Sequence, residues 1–147
     1  MGQALEVCGQ VRQPRSFDFE ALAHLPGQIV DIATVVPGRT GGGVRLTSLL
    51  DVVRPDPEVT HLTVESNDGS FSASVPLAAV VESGVVLYHL GWQALPEQQG
   101  GPFRFLIIDA QACATGGADL CANVKFVGRI ALSVGPGRDT RPTGGNT

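Results

Sequence analysis

The stretch "VTHLTVESNDGSFSASVP", residues 59 to 76, decides the fold class. "VTHLTVES" and "SFSASV" read as two short strands. Between them stand Asn67, Asp68 and Gly69, residue types that accept the positive φ angles of a tight hairpin. A local antiparallel pair is therefore predicted at the middle of the chain.

Upstream, "VRLTSLLDVVRPDP" spaces Val44, Leu46, Leu49, Leu50 and Val53 as one face of a helix, which Pro55 ends. "QIVDIATVV" (28 to 36) is rich in β-branched residues and predicts a strand, and the glycines of "PGRTGGG" (37 to 43) predict a flexible loop after it. "SFDFEALAHLP" predicts a short helix with Ser16 or Asp18 as N-cap and Pro26 as its stop. Residues 3 to 12 predict a first strand, broken by Gly9. Downstream, "SVPLAAVVESG" predicts a helical turn capped by Ser74, with Pro76 near its first position and Gly84 after its end. "VVLYHL", "FRFLII" and "NVKFVGRIALSV" predict strands. "GPGRDTRPTGGNT" has no apolar periodicity and predicts a disordered tail.

Strands outnumber helices, and the helices are short and scattered. The expectation is an α+β domain with mixed, largely antiparallel sheets over residues 1 to 134, followed by the tail at 135 to 147. A chain of 147 residues, 43% apolar, suffices for one sizeable core. A net charge of -4 and a pI near 5.2 argue against a nucleic-acid footprint, which needs a concentrated basic face. No segment has the length of a membrane span and the N-terminus lacks a signal-peptide pattern, so a cytoplasmic protein is expected.

Cys8, Cys113 and Cys121 are too few for a disulfide-built scaffold, although a Cys113–Cys121 bridge stays open. Those two cysteines do not match the short spacing of structural zinc ligands, and only Asp109 and Asp119 nearby keep a metal or redox role of that loop open. His24, His61 and His89 sit in apolar-flanked elements and read as partly buried structural histidines. No G-x-S-x-G, H-E-x-x-H, C-x-x-C or P-loop is present.

Arg104 follows "GGP" at the start of one apolar strand, and Lys125, the chain's single lysine, stands between Val124 and Phe126 in another. A cation in such a run needs a partner. Either it points to solvent or pairs with a carboxylate such as Asp109, or both converge on an anionic ligand, the arginine as a fork and the lysine as a point charge.

The order of these pieces resembles the molybdopterin-binding domain of the sulfite oxidase family. The resemblance rests on Gly43 to Leu50 (Gly-Val-x-Leu-x-x-Leu-Leu), Asp68-Gly69, Leu95-Pro96, Gly100 to Arg104 (Gly-x-Pro-x-Arg) and Val124-Lys125-Phe126, and it spans residues 5 to 134. It implies that family's α+β fold and a pterin-dithiolene cofactor, molybdopterin, held by Arg104 and Lys125, with the backbone amides of Gly100 and Gly101 approaching it.

Three departures stand out. "DIATVVPGRTGGG", just upstream of the Gly-Val-x-Leu motif, has no cysteine, whereas the family ligates its molybdenum from there. Gln99 replaces a family histidine, and "DAQACATGGADLCA" replaces a short Pro-Gly turn. The resemblance thus implies a molybdopterin-binding domain whose oxygen-atom transfer lacks its metal thiolate. The alternative is a non-catalytic relative that binds another small anion or a protein partner.

Overall fold

The computed structural model describes residues 4 to 34, 40 to 107 and 124 to 137. Within them the order is β1 (Leu5–Gly9), β2 (Arg15–Phe17), α1 (Phe19–Ala23), β3 (Gln28–Ile29), β4 (Gly42–Arg45), α2 (Leu46–Val53), β5 (His61–Ser66), β6 (Ser72–Pro76), α3 (Leu77–Val80), β7 (Gly84–Leu90), β8 (Gln93–Ala94), β9 (Arg104–Ile107) and β10 (Val127–Ser133). One sheet runs β2-β1-β10-β5-β6. The other runs β3-β4-β7-β8, with β9 also pairing to β7. Every pairing is antiparallel except β1 with β10. The expected mixed, largely antiparallel α+β class holds.

The predicted hairpin forms: β5 and β6 pair from His61 with Pro76 to Glu65 with Ser72. Its loop turns on Gly69, at φ 77°. Asp68 sets that loop, because its Oδ1 accepts from the Ser66 and Ser70 hydroxyls at 2.8 and 2.7 Å and from the Ser70 amide at 2.9 Å.

The main core joins one face of each sheet to the apolar sides of α1, α2 and α3. Leu46, Leu49, Leu50 and Val53 of α2 are buried in it, each stabilising the fold by about 1.5–3 kcal/mol. Strand β7 is buried on both faces: Val86 and Tyr88 enter the main core, while Val85 and Leu87 join a second cluster with Ile29, Ile32, Leu95 and Leu106. That explains why "VVLYHL" is apolar without alternation.

Several expected boundaries move. The strand expected over 28 to 36 stops at Ile29, and Ile32–Thr34 forms a 3-10 turn. Asp31 drives the change, since its carboxylate accepts from the Ala33 amide at 3.0 Å and its carbonyl from the Thr34 amide at 3.1 Å. Val35 and Val36 lie outside the described residues. The glycine loop ends earlier than expected, because Gly42 and Gly43 are the first residues of β4, opposite His89 and Leu87. A side chain on Gly43 would run into the Val86 backbone, so glycine permits a close strand approach there. The helix expected from Val44 begins only at Leu46.

Asp18, not Ser16, caps α1 by accepting from the Ala21 amide at 2.8 Å. Ser74 is not a cap: it pairs with Thr63 inside β6, and α3 starts after Pro76. Lys125 is not within a strand, since Val124 makes a single bridge to Phe105 and β10 starts at Val127. The C-terminal segment docks as far as it is described, with the Gly135 and Gly137 amides donating to Thr60 Oγ1 at 2.7 Å and Ser74 Oγ at 2.9 Å. Residues 138 to 147 lie outside the described residues. No helix among the described residues is long and apolar enough to cross a membrane.

Candidate functional site

The site is assembled where the chain leaves the second sheet and returns to the first. After Leu95, a 3-10 turn (Glu97–Gln99) delivers Gly100 at φ 90°, and a cis Gly101–Pro102 bond leads into buried Phe103 and then β9. The chain comes back at Val124 to Val127 and zips onto this segment. Phe105 and Val124 exchange amide–carbonyl bonds at 2.9 Å, the Phe126 amide donates to the Gly100 carbonyl at 2.8 Å, and the Val127 amide donates to the Phe103 carbonyl at 2.7 Å.

This zipper brings together the residues read from the sequence. A Cβ on Gly100 would lie 3.0 Å from Arg104 Cδ and 3.1 Å from Lys125 Cγ, so the stems of both cations pass over the bare α-carbon. Arg104 is half-buried and Lys125 is exposed. Lys125 forms no ion pair among the described residues. Two cationic side chains rooted at one glycine form a local positive patch that favours an anion nearby.

The glycine amides serve another purpose than the expected one. Gly100 N–H donates to the Glu97 carbonyl at 2.9 Å and Gly101 N–H to the Pro96 carbonyl at 3.0 Å, closing the turn instead of facing a ligand. Gly101 must lack a side chain because its Cβ position coincides with the Leu95 backbone. The glycines make room, and the two cations supply the charge.

Beside Lys125 opens a cavity of about 270 Å³, walled by Phe126 and by Ser66, Asn67, Asp68, Ser70 and Phe71 of the hairpin loop. Phe126 is held at φ 55°, a left-handed conformation costly for an aromatic residue. Its two backbone groups fix it, the amide on Gly100 and the carbonyl receiving the Asn67 amide at 2.6 Å. The residue stays 38% exposed.

Asp68 is the charged group that sequence reasoning left as a turn former. The Ser70 amide, the Ser70 hydroxyl and the Ser66 hydroxyl, in that order, hold its carboxyl down to about 2, so it is ionised at neutral pH. The cavity therefore carries one cation and one anion against two aromatic rings, a lining suited to a planar heterocycle with N–H donors and an anionic substituent. The signal available in the sequence was the Ser-x-Asp-x-Ser spacing about the turn.

The other expected candidates fall elsewhere. His24 is exposed and bonds the Glu20 carbonyl through Nδ1 at 2.7 Å, so it is not partly buried. His61 is half-buried and lies 2.9 Å from Thr60 Oγ1. His89 is fully buried. Cys8 is buried and accepts from Arg129 Nε at 3.1 Å. Asp109, Cys113, Asp119 and Cys121 lie outside the described residues, as do residues 35 to 39. No group of three or more His, Cys, Asp or Glu able to hold a metal occurs among the described residues.

Known proteins share this fold and family. A family model described as the oxidoreductase molybdopterin binding domain matches residues 35–136. No curated protein matches the chain. Among solved structures, the chain is similar to the sulfane dehydrogenase SoxCD from Paracoccus pantotrophus. It shares 19% identity, with a TM-score of 0.67, over 97% of this chain and 41% of that one. That likeness concerns the fold, and this chain spans less than half of the neighbour's length. Since the family model takes in well over half of the residues, and both cation motifs fall inside it, the chain belongs to the oxidoreductase molybdopterin-binding domain family.

Proposed function

We propose that this chain holds a molybdopterin-type cofactor through Arg104, Lys125 and Asp68, and that it does so without a protein thiolate for the metal. The observation that carries this reading is the crossing of Arg104 and Lys125 over Gly100, with Lys125 also lining a cavity that contains an ionised carboxylate. The donor set fits the organic part of the cofactor. The guanidinium fork and the ammonium suit a phosphate, Asp68 suits the amino and ring N–H groups of a pterin, and Phe71 and Phe126 suit its faces.

The donor set fits the metal less well. Residues 31 to 43 contain no cysteine, so the thiolate that the family resemblance expects from this segment is missing. When bound, the cofactor supplies dithiolene sulfurs to a metal. The chain's own groups bind and orient the pterin and phosphate. Gln99 stands where the resemblance expects a histidine, which removes one further contact. One charge-assisted hydrogen bond is worth about 1.5–3 kcal/mol, so this loss weakens retention by roughly ten- to hundredfold without abolishing it. A missing metal ligand changes the coordination itself, which neighbouring groups do not replace.

The absent cysteine also favours a second reading, a non-catalytic relative in which Arg104 and Lys125 receive a different small anion. Protein purified from a host that makes the molybdenum cofactor separates the two. Pterin fluorescence after oxidative release, with molybdenum well below the pterin content, supports the first. A preparation free of pterin that binds inorganic phosphate or sulfate at these cations supports the second, and one that binds neither contradicts both.

A further inference from the structure

His89 is 1% exposed, and neither of its ring nitrogens has a hydrogen-bond partner. Its ring edge faces Gly42, whose missing Cβ is what gives the imidazole room. Its other side is covered by the indole of Trp92, stacked at 4.0 Å between centroids and 15° between planes. Trp92 is 47% exposed and stands at φ 64° beside Gly91 at φ 59°. The pair therefore forms a two-residue hairpin turn closed by Leu90 with Gln93 and His89 with Ala94. Such a turn favours Asn or Gly at its second position, and a tryptophan there is strained. A strained, half-exposed ring thus covers a polar ring that gains hydrogen bonds from water as soon as it is uncovered.

We propose that the Gly91–Trp92 turn is a lid over His89 that opens when the imidazole takes up a proton. No charged side chain among the described residues faces the ring to stabilise an imidazolium in the closed form. From β4 it meets Gly42 and from the end of β3 the Val30 carbonyl lies alongside. Tyr88, a titratable neighbour, stands edge-on at 4.7 Å with its hydroxyl donated to Gln28 Oε1. Asp31 is engaged with the Ala33 amide. Burial lowers the imidazole below its ordinary value of 6.5. At about pH 7.5 both forms are mostly uncharged and the lid stays shut. Below 6.5 the open form binds the proton first, so each further pH unit multiplies the open-to-closed ratio by up to about tenfold until the closed-form value is reached. The lid adjoins the candidate site: Leu95 lies 3.5 Å from the Cβ position of Gly41 and supports Gly101 on its other side.

Trp92 is the only tryptophan in the chain, so intrinsic fluorescence reads the lid directly. Between about pH 7.5 and pH 5, the emission of the full chain is expected to shift to the red, with at least about twofold stronger acrylamide quenching and an unchanged far-UV circular dichroism spectrum. The shift should reverse on neutralisation and vanish in His89→Leu. Should that variant fail to fold, amide exchange of the wild type serves instead, with acceleration beyond the intrinsic pH effect expected at 90 to 95 and not in β5. Emission that stays constant over this range, a shift that persists in His89→Leu, loss of circular dichroism in step with the shift, or equal acceleration in β5 would each overturn the lid.

Discussion

Arg104 and Lys125 are held by opposite means. Arg104 opens a strand that both neighbours pin, whereas Lys125 sits in a two-residue excursion between the Phe105 bridge and β10. Removing either cation leaves the backbone zipper intact, because none of its hydrogen bonds uses a side chain. Arg104→Ala and Lys125→Ala are thus each expected to weaken pterin or phosphate binding by roughly ten- to hundredfold with little change in melting temperature, measured by titration calorimetry. Asp68 gives a prediction of a different kind. Its folded value of about 2 lies below the ordinary 3.8, so its contribution is complete above 3.8 and fades as the pH falls through about 2. Asp68→Asn should flatten the acid limb of the stability profile in urea titrations between about pH 4 and pH 2. The two cations were legible as charges set among apolar residues. Asp68 was legible only as a turn residue, because its ionisation depends on hydroxyls that the loop folds back onto it.

Helix α2 and strands β4 and β7 form the frame from which the site hangs. Leu49 is fully buried in the main core, so Leu49→Ala should cost about 2–5 kcal/mol in denaturant unfolding. Gly43→Ala should cost about 1–3 kcal/mol, since the new methyl group would press on the Val86 backbone. The hairpin and the buried strand β7 could be read from the chain, since turn chemistry and an unbroken apolar run are both local signals. The end of β3 could not. There the β-branched pattern of "QIVDIATVV" competes with the Asp31 side chain, and the local hydrogen bonds win. The glycines of β4 were misread for a related reason. Glycine weakens a strand on its own, and only the closeness of the partner strand makes it the residue that fits.

At the scale of the molecule, pairing between distant parts of the chain places the site. The parallel contact of β1 with β10 closes the first sheet, and β9 against β7 with Val124 on Phe105 fastens the return segment beneath Gly100. None of these pairings has a local signature, so the sequence motifs indicated which residues belong together without showing how they meet. The chain belongs to a molybdopterin-binding family, and the function proposed above separates holding a cofactor from using its metal, because residues 31 to 43 contain no cysteine. The most direct test of that separation is the pterin content of the chain purified from a cofactor-producing host, beside that of an Arg104→Ala/Lys125→Ala double variant. Pterin on the wild type and none on an equally folded double variant is the expected result. A wild type without pterin, or a double variant that keeps it, would contradict the account.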